Sequence, residues 1–198
     1  AAAEPAAPVI SDTRVNPPSF SDVEDDDWFA GSVVWAYENG LMKGTGDTTF
    51  SPYGNTTRGM IVTILYRLEG MPEARTGGFM DVGEGQYYSE AVAWADRNNI
   101  VSGYGDGKFG PENNITREQL AVILMNYARF KGYNVTEKAD LSMYTDVDSI
   151  SGYAKDAMAW ANAAGLIQGS GTELMPGGNA QRAQVAAIFQ RFIENFTK

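Results

Sequence analysis

The chain has 198 residues, roughly 1.3 times the ~150 of an average domain, which suits one domain or a set of small repeats. Apolar residues make up 43% and charged ones 20%, too apolar for a disordered chain, and the formal charge of −10 argues against nucleic acid as a partner. Cys and His are both absent, which removes disulfides, thiolate or histidine metal sites, and Ser-His-Asp or Cys-His catalysis, and leaves a carboxylate pair or a Ser-Lys arrangement as available enzyme chemistry.

Residues 1–19, with Pro5, Pro8, Pro17 and Pro18, read as an N-terminal arm or linker. The opening Ala-Ala-Ala-Glu-Pro has neither an initiator Met nor the apolar core of a signal peptide, as expected for a processed terminus or a cut piece of a longer protein. No apolar run approaches the ~20 residues of a membrane span, so membrane insertion is not expected.

After the arm, one pattern occurs three times, over residues 20–70, 79–131 and 144–196. Each copy opens with aromatic-x-Asp-Val: Phe20 to Val23, Phe79 to Val82, Tyr144 to Val147. A helix is predicted next, from about Trp28, Tyr87 or Tyr153 to just past a central Trp-Ala (Trp35, Trp94, Trp160), with the opening Asp (Asp22, Asp81, Asp146) available to cap it or its preceding turn. Gly40, Asn99 and Gly165 fit the left-handed residue that ends a helix. Nine residues past each Trp a Gly-x-Gly begins (Gly44, Gly103, Gly169), then an apolar residue two before a proline, then an arginine six after that proline (Arg58, Arg117, Arg182). A second helix starts near each arginine. Its apolar residues fall at offsets 0, 3, 4 and 7: Ile61, Ile64, Leu65, Leu68; Leu120, Ile123, Leu124, Tyr127; Val185, Ile188, Phe189, Phe192. The Asp-Thr-Thr-Phe and Gly-Lys-Phe segments suit a strand-like turn, but no sheet is signalled. A lone two-helix unit would bury only a marginal core. The expectation is therefore a mainly α fold, three helix-loop-helix repeats forming one module with pseudo-threefold symmetry.

These residues resemble the surface-layer homology (SLH) family, whose units combine a Phe-x-Asp-Val opening, a Trp-Ala helix, a Gly-Tyr-x-Asp-Gly-x-Phe loop and a Thr-Arg-Ala-Glu helix start. The loop is fullest in Gly103-Tyr104-Gly105-Asp106-Gly107-Lys108-Phe109; the helix starts are Thr57-Arg58-Gly59-Met60, Thr116-Arg117-Glu118-Gln119 and Gln181-Arg182-Ala183-Gln184. The resemblance implies a three-pronged helical module that holds exported proteins on the bacterial cell wall. Its implied partner is secondary wall polysaccharide, commonly carrying pyruvylated N-acetylmannosamine, bound in grooves between units by the motif arginine. The family's Glu is replaced by Met60, Gln119 and Gln184, and the third loop is a residue shorter and lacks its Asp.

The candidate contacts follow. With Thr57 and Thr116 as N-caps, Arg58 and Arg117 fall at the first helical position, where unpaired N–H groups and the helix dipole would join a guanidinium in holding an anion; Arg182 occupies the third equivalent place. Thr116 and Gln119 have capping-box spacing. Loop candidates are Lys43, Gly44, Thr45, Gly46 and Asp47, then Gly103, Tyr104, Gly105 and Asp106, then Gly169 and Ser170. Trp35, Trp94 and Trp160 suit either core or groove wall. No cofactor is called for, and no metal, since neither Glu24-Asp25-Asp26-Asp27 nor Asp106-Gly107-Lys108 has the alternating ligands of an EF-hand. The reading is a non-catalytic anchor at the extracellular face of a bacterial wall. The alternatives are a wall glycosidase using carboxylates from Asp47, Asp106, Glu112 and Glu118, and a structural or protein-binding domain that has lost its glycan.

Overall fold

The computed structural model describes residues 19–75 and 77–197, so the expected arm lies almost wholly outside the described residues. Among the described residues six α-helices follow one another: α1 (Ala30–Glu38), α2 (Arg58–Leu68), α3 (Ser89–Arg97), α4 (Arg117–Phe130), α5 (Lys155–Ala163) and α6 (Arg182–Phe196). Among the described residues there is no strand, only isolated bridges. The fold is the expected helical one of three helix-loop-helix repeats.

The first helix of each repeat starts later than its apolar pattern. Trp28 and Phe29, with Tyr87 and Tyr88, lie in a turn closed by i→i+3 bonds such as Ala30 N–H to the Asp27 carbonyl (2.9 Å) and Ser89 N–H to Gln86 (3.0 Å). In the third repeat two 3-10 turns, Val147–Ser149 and Gly152–Ala154, lead into α5. The ends are as expected: Gly40, Asn99 and Gly165 have φ of 67°, 55° and 70°.

The opening aspartates do not cap α1, α3 or α5. Each reaches 28 and 29 residues along the chain and accepts two backbone N–H groups in its own loop: Asp22 from Phe50 and Ser51 (2.8 and 2.7 Å), Asp81 from Phe109 and Gly110 (2.8 and 2.8 Å), Asp146 from Leu174 and Met175 (2.8 and 2.7 Å). The second residue of each pair has positive φ (Ser51 57°, Gly110 70°, Met175 52°). A carboxylate is thus spent on holding the chain in a left-handed conformation that Ser and Met resist. Nearby, the opening aromatic ring lies so close to the first loop glycine that a Cβ on Gly103 would come 2.6 Å from Phe79, and one on Gly169 2.5 Å from Tyr144.

The repeats join in a closed ring. The residue before each N-cap is buried and bonds the next by its backbone: Thr56 N–H to Ala180 O (3.0 Å), Ala180 N–H to Ile115 O (2.9 Å), Ile115 N–H to Thr56 O (2.9 Å). Helix pairs then form between repeats rather than within them, α1 with α6, α2 with α3, and α4 with α5, giving three prongs. Equivalent positions of α2, α4 and α6 supply the shared core: Ile61, Leu120 and Val185; Leu65, Leu124 and Phe189; Leu68, Tyr127 and Phe192. At the far end of this core the Tyr127 hydroxyl donates to Glu69 (2.6 Å), which also receives the buried Lys131 ammonium (2.9 Å).

Burial opposes the charge on Asp81 and Asp146, but the backbone N–H groups that each accepts win and hold both below the usual carboxylate range. A folded-state pKa below the unfolded one contributes stability above the unfolded value, lost as pH falls through the folded one. Thermal stability is therefore expected to drop as pH goes below about 4. Asp81→Asn combined with Asp146→Asn should cost about 1–2 kcal/mol per site at neutral pH and flatten the acid limb of Tm against pH, as read by calorimetry.

Candidate functional site

The three motif arginines cross from one repeat to the next. Arg58 donates Nε–H to the Phe109 carbonyl (2.9 Å) and Nη2–H to Ser102 (3.0 Å). Arg117 makes the same pair with Leu174 (2.8 Å) and Gln168 (2.7 Å), and Arg182 with Phe50 (2.8 Å) and Lys43 (2.6 Å), which closes the circle. The carbonyl that takes each Nε belongs to the residue whose N–H is held by the opening Asp, so an Asp–peptide–Arg relay is built three times. Phe109 and Phe50 also place their rings 4.5 Å from the Arg58 and Arg182 guanidinium carbons, a cation–π contact that Leu174 cannot give Arg117.

Nε and one Nη2 hydrogen of each guanidinium are thereby used, while Nη1 and the second Nη2 hydrogen have no partner among the described residues. The arginines are only 6–8% exposed, and no carboxylate among the described residues lies within 4 Å of any of them. Burial draws all three below the usual arginine pKa; Tyr104, Tyr153 and Asp81 counter it for Arg58, Asp146 for Arg117 and Asp22 for Arg182. Arginine stays protonated under any such shift. Three buried cations whose compensation is mainly carbonyl dipoles leave a demand for an anion.

The helix N-termini do not share that task. The first N–H groups of α2 donate to the next repeat, Arg58 to Asn113 (3.0 Å) and Gly59 to Pro111 (2.8 Å), while the third, of Met60, meets the Thr57 hydroxyl (3.3 Å). Arg117 and Glu118 of α4, and Arg182 and Ala183 of α6, repeat the arrangement. The expected anion site at a helix terminus is corrected: those donors are spent on joining repeats, and the guanidinium edge remains. Thr57 and Thr116 are N-caps as expected, and Gln119 completes the capping box (Thr116 N–H to Gln119 Oε1, 3.3 Å). Gln184 accepts the Gln181 N–H in the same way (3.1 Å), so the third repeat keeps the geometry without Thr.

Each arginine lines a groove made by all three repeats. The Arg182 groove, about 360 Å³, has the 41–45 loop of repeat 1, one face of α2 and Tyr87 of repeat 2. The Arg58 groove, about 490 Å³, has the 100–104 loop of repeat 2, α4 and Tyr153 of repeat 3. The Arg117 groove, about 180 Å³, has the 166–169 loop of repeat 3, α6 and Trp28 of repeat 1.

Of the residues expected from sequence, the grooves bring together Arg58, Arg117, Arg182, Lys43, Gly44, Thr45, Gly103, Tyr104 and Gly169. Tyr104 stacks over Arg58 at 4.8 Å. Gly46, Asp47, Gly105, Asp106 and Ser170 are exposed and line none of the three grooves; Gly46 and Asp47 border a separate depression beside Phe20 and Tyr37. Trp94 and Trp160 are buried in the prongs, Trp94 against Tyr66 and Phe130 and Trp160 against Phe196, while Trp35 is half-buried against the core. Apolar helical faces pull them inward, and the exposed aromatics Trp28, Tyr87 and Tyr153 take the groove rims instead. That triplet is not among the candidates read from the sequence, although its signal is plain: an aromatic seven residues before the central Trp in every repeat. Among the carboxylates weighed for catalysis, Glu118 is buried and accepts Ser151 N–H (2.9 Å), Ser151 Oγ (2.8 Å) and Tyr153 Oη (3.2 Å), as a clamp between repeats 2 and 3; Asp47, Asp106 and Glu112 are exposed. Among the described residues no cluster of acidic side chains could hold a metal ion, and no helix is long and apolar enough to cross a membrane.

Comparison with known proteins agrees with this geometry. The S-layer homology domain matches residues 19–59, 78–121 and 144–186. The chain is 30% identical over 89% of its length to an amylopullulanase of Thermoanaerobacterium thermosulfurigenes, 31% over 89% to an exoglucanase of Acetivibrio thermocellus, and 27% over 98% to a surface-layer 125 kDa protein of Lysinibacillus sphaericus. It spans only 10%, 16% and 17% of those relatives. Family and relatives point to the cell surface. The chain belongs to the S-layer homology domain family, in three tandem copies closed into one module.

Proposed function

We propose that this module is a non-catalytic anchor that binds an acidic polysaccharide of the bacterial cell wall, with pyruvylated N-acetylmannosamine as the favoured unit. The observation that carries the reading is the repeated guanidinium at each groove base, gripped along one edge and without a carboxylate within 4 Å among the described residues. Its remaining edge can meet a carboxylate through two parallel N–H···O bonds. Trp28, Tyr87 and Tyr153 at the rims offer rings to sugar C–H faces, and Lys43 adds charge in one groove.

The chain's net charge of −10 does not oppose this, because exposed charges are screened beyond ~8 Å at physiological salt. Three grooves on one repeating polymer would raise retention by avidity over the affinity of each. Several relatives bear enzyme names, but the chain matches only 10% and 16% of two of them, which supports an accessory rather than a catalytic role.

Purified module is expected to sediment with native sacculi and to lose that on chemical removal of the polysaccharide or of its pyruvate. Failure to sediment, or release of reducing ends, would overturn the anchor reading. Because the arginines also hold neighbouring loops, Arg→Ala should lower Tm by several degrees as well as weaken binding. Arg58→Lys or Arg117→Lys keeps the charge but loses the fork. Each should weaken sacculus binding about 10- to 100-fold, with the near-ultraviolet circular dichroism of the aromatics unchanged.

A further inference from the structure

The grooves share one plan but not one charge. In the Arg182 groove a second guanidinium, Arg67, lies on the α2 face nine residues after the motif arginine and donates Nη1–H to the Leu41 carbonyl (2.8 Å). Arg182 holds the carbonyl of Lys43. Carbonyls two residues apart are at most about 7 Å from each other, so two cations grip neighbouring rungs of one loop, with the exposed Lys43 side chain beside them.

The Arg58 groove copies this plan with a single cation, neutral residues standing in place of both the second guanidinium and the lysine. Asn126, nine residues after Arg117, donates Nδ2–H to Ile100 O (3.2 Å), the rung equivalent to Leu41, while Arg58 holds Ser102 O (3.0 Å). The position of Lys43 is Ser102, and Tyr104 covers the arginine. In the Arg117 groove the equivalent residue is Arg191, and the rim aromatic Trp28 directly follows the acidic run Glu24-Asp25-Asp26-Asp27 in the chain.

We propose that the position held by Arg67, Asn126 and Arg191 sets how much negative charge each groove accepts. On this view the Arg182 groove takes a glycan segment bearing two anionic groups, and the Arg58 groove a segment bearing one. This rests on the wall-glycan reading above. A second anion entering the Arg58 groove would be desolvated beside Ile100, Val101, Val122 and Ile123 with only neutral side chains such as Gln119 and Asn126, and no second cation, to meet it, so it is disfavoured rather than merely not attracted.

The test measures binding of the whole chain to native sacculi from the organism that carries it, across a range of NaCl concentrations. Arg67→Asn is expected to weaken binding about tenfold and make it less salt-dependent, whereas Arg67→Lys retains most of both. Asn126→Arg should tighten binding and steepen its salt dependence. The double variant Arg67→Asn with Asn126→Arg should return to the original salt dependence, a result that a purely structural role for Arg67 would not produce. If the unaltered chain binds and Arg67→Asn changes neither affinity nor salt dependence, this proposal is wrong while the anchor reading stands. If Arg67→Asn fails to fold by circular dichroism, Asn126→Arg alone decides, and an unchanged salt dependence overturns the proposal. If the unaltered chain does not bind sacculi, the wall-glycan reading falls and this one with it.

Discussion

Each motif arginine must satisfy two carbonyls that belong to a different repeat. That demand organises the molecule. To reach Phe109 and Ser102, Arg58 has to start its helix against the second repeat's loop, which places the first N–H groups of α2 on Asn113 and Pro111. The same displacement, applied three times, brings Thr56, Ile115 and Ala180 together on the axis and pairs each second helix with the first helix of the following repeat. The grooves are what remains between the loop held by the arginine and the helix that follows it.

The cost of burying a cation is met in two stages. Carbonyl dipoles and, for Arg58 and Arg182, aromatic faces supply the first. A more distant carboxylate, Asp81, Asp146 or Asp22, supplies the second without touching the guanidinium. A direct ion pair would have quenched the site; holding the Asp one peptide away rigidifies the loop and leaves the guanidinium edge available to an incoming anion. Exact repetition of the backbone plan then allows the side chains lining each groove to diverge.

The repeat was legible in the sequence because core and turn positions obey local rules. Apolar offsets on α2, α4 and α6, the left-handed residues Gly40, Asn99 and Gly165, and the caps Thr57 and Thr116 all depend on near neighbours in the chain. The arginines stood out in the sequence because their type and spacing recur. What escaped was every feature set by a partner far away in sequence. The aspartates reach 28 and 29 residues along the chain, not to the adjacent helix. Helix N–H groups that look orphaned in one repeat are satisfied by another, and the prongs pair helices across repeats. Trp94 and Trp160 were drawn into the core by the same apolar period that marks their helices, leaving the rims to Trp28, Tyr87 and Tyr153.

The contact between repeats is head-to-tail, and such contacts either close or propagate. Here the rotation returns on itself after the third unit, since Arg182 finds Lys43 and Phe50 of the first. The count of units is therefore fixed by geometry, and no groove survives the loss of any one of them. A shortened version with two repeats would present one bare arginine end and one bare loop end. Those two ends are complementary, so two such fragments would seek each other, and evolution can vary what each cleft recognises far more freely than it can vary the number of clefts.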